Sequence, residues 1–219
     1  MEEKYIHRCL QLARLGEYYV APNPMVGAVL VYHSSYGDVI MGEGWHEQYG
    51  GPHAEPNCIR AAEQAHPEGI DYQSCTLYVN LEPCSHYGKT PPCAELIIRK
   101  GIGRAVVGML DPNPQVAGRG VKMMQDAGIE VVVGVLEEEC LRLNKRFVCL
   151  HTEGRPYVIL KWAQTLDGYI DVARNSGTPL IISTPLTKQL VHQQRAENMS
   201  IMVGTRTVLL DNPKLLNTR

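Results

Sequence analysis

The sequence predicts an α/β protein: a three-layer α/β/α domain of about five strands over residues 1–150, then the opening part of a second α/β unit over 151–219. Three observations predict it. Short apolar runs rich in β-branched residues alternate with stretches whose apolar residues recur at three-and-four spacing. The first two of those runs, 26–31 and 39–45, are separated only by a polar turn, which makes them a hairpin. The linker Glu153-Gly154-Arg155-Pro156 then breaks the pattern, and Tyr157–Ala163 restarts it as a buried strand.

The elements follow in order. Residues 2–19 read as a helix, with Tyr5, Ile6, Cys9, Leu12, Ala13 and Leu15 on its apolar face. Ala21-Pro22-Asn23-Pro24 stops it before the hairpin. Asn23, held between two prolines, is either a plain turn residue or a rigid amide for a heterocycle. Gly42-x-Gly44-x-His46 lacks the third glycine and the βαβ setting of a dinucleotide loop. His46 is either a surface histidine or a pocket one. A helix from Pro52 to about Ala65 follows; Pro56 fits only its first turn, so His53 and Glu55 sit at the helix mouth. Cys75–Val79 is a strand running into Glu82-Pro83-Cys84, and Cys93 opens the helix 94–99. A strand at 104–109 ends in Asp111-Pro112-Asn113-Pro114, where turn chemistry and substrate contact are both open readings. A helix at 116–128, a strand at 129–135 and a helix at 136–151 complete the domain. After the linker, a helix capped by Thr184, a strand at 200–203 and a short helix at 204–210 are expected. About 70 residues is small for a domain of this kind, so the second unit is expected to be part of a larger one.

One constellation carries chemistry. His53-Ala54-Glu55, Pro83-Cys84 and Cys93 supply an imidazole and two thiolates. Three protein ligands leave a fourth position for water, which distinguishes a catalytic zinc from a closed structural one. Zinc brings the pKa of bound water to about 7. Glu55, two residues from the histidine, can take that proton and pass it to a leaving amine. This is the zinc deaminase pattern of His-x-Glu followed by Pro-Cys and a second cysteine. The two cysteines are separated by eight residues rather than two, so the longer loop is free to contact substrate. A helix N-terminus favours a thiolate, which predisposes Cys93 to bind metal.

Composition narrows the partners. With 219 residues and net charge −2, the chain has no basic footprint for nucleic acid. No apolar run reaches the roughly 18 residues of a membrane span, and the N-terminus lacks the apolar core of a signal peptide. Seven cysteines at irregular spacing suggest a reducing cytoplasm, with Cys9, Cys58, Cys75, Cys140 and Cys149 as small core residues.

Five motifs together resemble the bifunctional bacterial riboflavin-biosynthesis deaminase/reductase family. They are Ala-Pro-Asn-Pro-x-Val-Gly-Ala-Val (21–29), Gly-x-Gly-x-His (42–46), His-Ala-Glu (53–55), Glu-Pro-Cys-x8-Cys (82–93) and Asp-Pro-Asn-Pro (111–114). The resemblance implies a cytidine-deaminase-like domain followed by a dihydrofolate-reductase-like domain. It implies zinc on His53, Cys84 and Cys93, Glu55 as proton shuttle, and substrate contacts from Asn23, His46, Lys89, Asp111 and Asn113. The substrate would be diaminohydroxyphosphoribosylaminopyrimidine, whose phosphate Lys89 suits. In the second unit, Lys161-Trp162-Ala163-x-Thr165-x-Asp167-Gly168 resembles the opening reductase strand. The family pattern implies NADPH contacts at Ala163, Thr207 and Asp211, and reductase substrate contacts at Lys161, Thr178, Arg195, Leu215 and Arg219. A homo-oligomer is implied in the same way. Two rival readings stand beside it: a deaminase of a free base or nucleoside, and a structural zinc module with His86 as a fourth ligand.

Overall fold

The computed structural model describes residues 2–87, 91–114, 116–174 and 178–216. The chain divides into two units, Met1–Tyr157 and Val158–Arg219. The first is built on a five-stranded sheet: β1 (Gly27–Ser34), β2 (Gly37–Trp45), β3 (Cys75–Leu81), β4 (Arg104–Met109) and β5 (Glu130–Val133). Its order is β2-β1-β3-β4-β5. β1 runs antiparallel to both β2 and β3, while β3, β4 and β5 are parallel.

Side chains alternate across a strand, so each strand feeds two cores. Ala28 and Leu30 of β1, with Leu77, Val79, Ala105 and Val107, pack under α2 (Ala54–Ala65), α3 (Cys93–Lys100) and α4 (Arg119–Asp126). Val29 and Val31, with Tyr78 and Val106, pack on the other face under α1 (Glu3–Ala13) and α5 (Glu137–Leu143). All seven residues of β3 are buried, as expected of a central strand covered on both faces. The five cysteines expected as core residues are all buried.

The pair Gly42 and Gly44 has a packing role. A β-carbon on Gly44 would lie 2.3 Å from the Cys58 backbone nitrogen, and one on Gly42 would lie 2.6 Å from that of Ala62. Helix α2 therefore rests directly on the β2 backbone, and His53 at its mouth is located by that contact. Gly44→Ala is expected to cost about 3 kcal/mol by overpacking, read as a fall in Tm of roughly 6–12 °C in thermal unfolding.

Several boundaries differ from expectation. The first helix ends at Ala13 and passes into a 3₁₀ turn, Arg14–Gly16. Leu15, Tyr18 and Tyr19 are exposed, so no buried stripe carries the helix on to residue 19. The helix expected over 136–151 is two helices, α5 and α6 (Lys145–Glu153), broken at Asn144. There the buried carboxamide accepts from Met25 N at 2.8 Å and donates to Met25 O at 2.9 Å. Asn80 works in the same way from β3, accepting from Gly27 N and donating to Met25 O. Two buried amides thus satisfy the backbone that follows Asn23-Pro24, where an unpaired group would be costly.

In the second unit, α7 (Pro185–Ala196) and α8 (Thr205–Asp211) form, with the Thr184 hydroxyl capping α7 by accepting from Thr187 N. The strands expected at 157–163 and 200–203 do not. A strand is held by its ladder partners, and among the described residues these runs have none; Val158, Leu160 and Trp162 stay exposed. No helix among the described residues is long and apolar enough to cross a membrane.

Candidate active site

The carboxyl ends of parallel strands are where open α/β sheets place ligands. Here β3 runs out into Glu82-Pro83-Cys84 and β4 into Asp111-Pro112-Asn113, with α2 and α3 starting beside them. His53 is the N-cap residue of α2, Glu55 lies in its first turn, and Cys93 is the first residue of α3. Two helix mouths and a strand end converge.

The ligand atoms of His53, Cys84 and Cys93 lie within 4.8 Å of one another, the only such His/Cys/Asp/Glu group among the described residues. His53 Nδ1 is 3.6 Å from Cys84 Sγ and 3.4 Å from Cys93 Sγ. For tetrahedral zinc at about 2.3 Å from sulfur and about 2.0–2.1 Å from nitrogen, the sulfur–nitrogen separation is about 3.5–3.6 Å. The donor set and its spacing both fit a zinc ion. His86 lines the same cleft but is not a member of the group, so among the described residues the shell has three protein ligands and not four.

Electrostatics within the group follow from its contacts. The Cys84 sulfur takes hydrogen bonds from the Cys93 thiol and the His53 ring, which pull its pKa well below the usual thiol value. The α3 mouth adds a third, from Cys93 N at 3.3 Å. Cys93, facing that thiolate and buried, is pushed up. His53 is lifted to about 9, chiefly by its bond to Cys84. Glu55 is buried at 3% exposure, and burial raises its carboxyl above the usual range, with the Cys84 charge adding to the effect.

The cleft, about 200 Å³, is lined by Asn23, His46, His53, Glu55, Cys84, Asp111 and Asn113 among others. His46 is buried, which lowers its pKa and keeps the ring neutral. Its Nδ1 donates to Pro52 O at 2.9 Å, so Nε2 is the acceptor and takes the Asn23 amide N–H at 3.1 Å. The Asn23 carboxamide is thereby oriented, with Oδ1 left as an acceptor. Asp111 Oδ1 accepts from Asn113 N at 2.8 Å, the Asx-turn reading; its carboxyl is nevertheless raised, first by burial. Lys89 lies outside the described residues.

Sequence reasoning passed over three residues on the cleft wall. Phe147 and His151, one turn apart on α6, face it with their rings 4.5 Å apart. Both fall within the helix expected over 136–151, and nothing in the local pattern marks them. Glu82 stands in the sequence only as the residue before Pro83-Cys84, yet it lines the cleft and is buried at 3% exposure.

In the second unit, Arg174 joins two expected positions: it donates to the Asp211 carboxylate at 2.6 Å and to Thr178 O at 2.9 Å. Arg195 donates to Leu216 O at 3.2 Å, beside Leu215. Lys161 and Thr207 make no side-chain hydrogen bond among the described residues, and Arg219 lies outside them. Asp211 is thus engaged by Arg174, Ala163 lies on a segment with no ladder partner among the described residues, and Thr207 is exposed on α8.

Comparison with known proteins agrees with both units. Residues 1–109 match the cytidine and deoxycytidylate deaminase zinc-binding region, and residues 156–219 match the RibD C-terminal domain. The riboflavin biosynthesis protein RibD of Aquifex aeolicus is 45% identical over 215 residues, 98% of this chain and 57% of that protein. The Acinetobacter baumannii RibD structure superposes with a TM-score of 0.86 at 39% identity, covering 98% of this chain and 57% of its own. A Thermotoga maritima diaminohydroxyphosphoribosylaminopyrimidine deaminase/5-amino-6-(5-phosphoribosylamino)uracil reductase superposes at 0.82 with 46% identity, covering 97% and 58%. The chain spans a little over half the length of these relatives. With the two matched regions in the same order and the His/Cys/Cys group in place, it belongs to the RibD family of riboflavin biosynthesis proteins.

Proposed function

We propose that this chain carries out hydrolytic deamination of an aminopyrimidine, with diaminohydroxyphosphoribosylaminopyrimidine as substrate. The observation that carries the proposal is the three-donor group of His53, Cys84 and Cys93 with the buried Glu55 carboxylate at the same cleft. His53 Nδ1 and the two sulfurs would hold zinc. The metal supplies Lewis acidity and brings the pKa of water to about 7.

The chain's own groups do the rest. Glu55 takes a proton at its carboxylate and returns it to the departing amine; its raised pKa brings it nearer neutrality, where both transfers are accessible. Asn23 Oδ1 accepts from the heterocycle, while His46 holds the amide in place. Asp111 and Asn113 contact the substrate from the end of β4, and Lys89 binds its phosphate. The Thermotoga relative's name supports the phosphorylated substrate. NADPH-dependent reduction of the ribosyl group is proposed only for a protein carrying the whole RibD C-terminal domain, with Ala163, Thr207 and Asp211 toward the cofactor and Lys161, Thr178, Arg195, Leu215 and Arg219 toward the substrate. A cytoplasmic location, supported by seven free cysteines, and a homo-oligomer complete the reading.

Ammonia release tests it, using the phosphorylated diaminopyrimidine with cytidine and guanine alongside, before and after chelation. Release from the phosphorylated compound alone, abolished by chelation, is expected. Release only from a base or nucleoside would keep the metal chemistry and overturn the substrate. Lys89→Ala is expected to raise KM for the phosphorylated compound.

A further inference from the structure

We propose that Glu82 is a positioning residue for the cleft: its carboxylate holds the Asp111–Asn113 turn in one frame with the strand end that bears Cys84. The proposal rests on the deaminase reading above.

Glu82 follows β3 directly and precedes Cys84 by two residues. Its own N–H donates to Met109 O, the last residue of β4, at 2.9 Å. Its side chain then gathers four backbone N–H groups. Oε2 accepts from Asp111 N at 3.1 Å and Gly118 N at 2.9 Å; Oε1 accepts from Gly120 N at 2.9 Å and Val121 N at 3.2 Å. These donors come from the two ends of the connection between β4 and α4 and from the first turn of α4, so one side chain closes that loop at its base. The contact is tight. A β-carbon on Gly120 would lie 2.0 Å from Pro83 O and 3.3 Å from Glu82 Oε1.

This geometry separates Glu82 from Glu55. A carboxylate has about four acceptor sites, and Glu82 fills four with main-chain donors, which commits both of its oxygens to the backbone. What it does carry is placement. Asp111 and Asn113 sit on the loop it closes, and Cys84 is two residues further along the chain. Substrate side and metal side of the cleft are therefore registered through one group. A site must hold its contacts within about 0.5 Å to function, and a misplacement of about 1 Å can cost about 100-fold.

The test uses the zinc-loaded chain and its Glu82→Gln variant, in which one acceptor oxygen becomes a donor facing two N–H groups. KM for the phosphorylated diaminopyrimidine is expected to rise about 10- to 100-fold, with kcat less affected and zinc content unchanged. On an Asp111→Ala background, Glu82→Gln is expected to add little further loss. Independent multiplication of the two losses, or loss of zinc in step with activity, overturns the proposal. Should the Gln variant not fold, hydrogen exchange of the wild-type chain decides. The Asp111 and Gly118 amides are expected to be protected, and exchange as fast as an open loop overturns the clamp. A wild-type chain that deaminates none of the substrates removes the deaminase reading and this proposal together; normal turnover with unprotected amides removes this proposal alone.

Discussion

Glu55→Gln is expected to lower kcat by about 10²- to 10⁴-fold, the usual contribution of a positioned acid–base group, while zinc content stays at the wild-type level. The substitution keeps shape and volume in a position that is 3% exposed, so packing at the mouth of α2 is preserved. What disappears is the exchangeable proton. Glu55 is not a member of the three-donor group, so the ion is retained. Single-turnover ammonia release with metal analysis of the same sample measures both quantities. Zinc retained with turnover destroyed excludes a purely structural metal module; a variant that turns over normally would remove Glu55 from the proton transfer.

The second large effect is on the metal. Cys84→Ala is expected to weaken zinc binding by well over 100-fold, since losing even a hydrogen-bonding neighbour of a ligand costs about 10- to 100-fold. Turnover is then expected to fall to background after dialysis. Cys84 is the centre of the group: the Cys93 thiol, the His53 ring and the α3 mouth all donate to it. A pH dependence accompanies this. Without metal, His53 is held protonated up to about 9, and zinc must displace that proton. The Cys93 thiol, pushed up by the Cys84 thiolate and by burial, must lose its proton as well, so apparent zinc affinity is expected to rise with pH through the neutral range and to go on rising past the His53 pKa. Metal titration at several pH values checks the sign.

Much of this was legible in the sequence, for reasons that can be named. The strands of the first unit announce themselves because strands covered on both faces read as continuous apolar runs, such as residues 26–31. The metal group is legible because a helix mouth and a strand end place ligands at short, recognisable spacings. What local pattern misses is set by distant partners. The helix break at Asn144 exists because its amide binds the Met25 backbone, 119 residues earlier. Glu82 reads as motif furniture until Gly118, Gly120 and Val121 are brought to it. The apolar runs at 157–163 and 200–203 have strand composition without strand neighbours, and composition alone does not build a ladder.

The segment between Cys84 and Cys93 is closed at its base by main-chain contacts: Ala94 N donates to Cys84 O at 3.1 Å and Cys93 N to the Cys84 sulfur at 3.3 Å. The two ends are thereby tied to each other at the start of α3. Doubling the length of such a loop costs only about 0.6 kcal/mol in closure entropy. Insertions and deletions there can accumulate while the ligand atoms stay where they are. The stretch is a tolerant site for chain-length variation, where what the cleft accepts can drift while the metal chemistry is inherited unchanged.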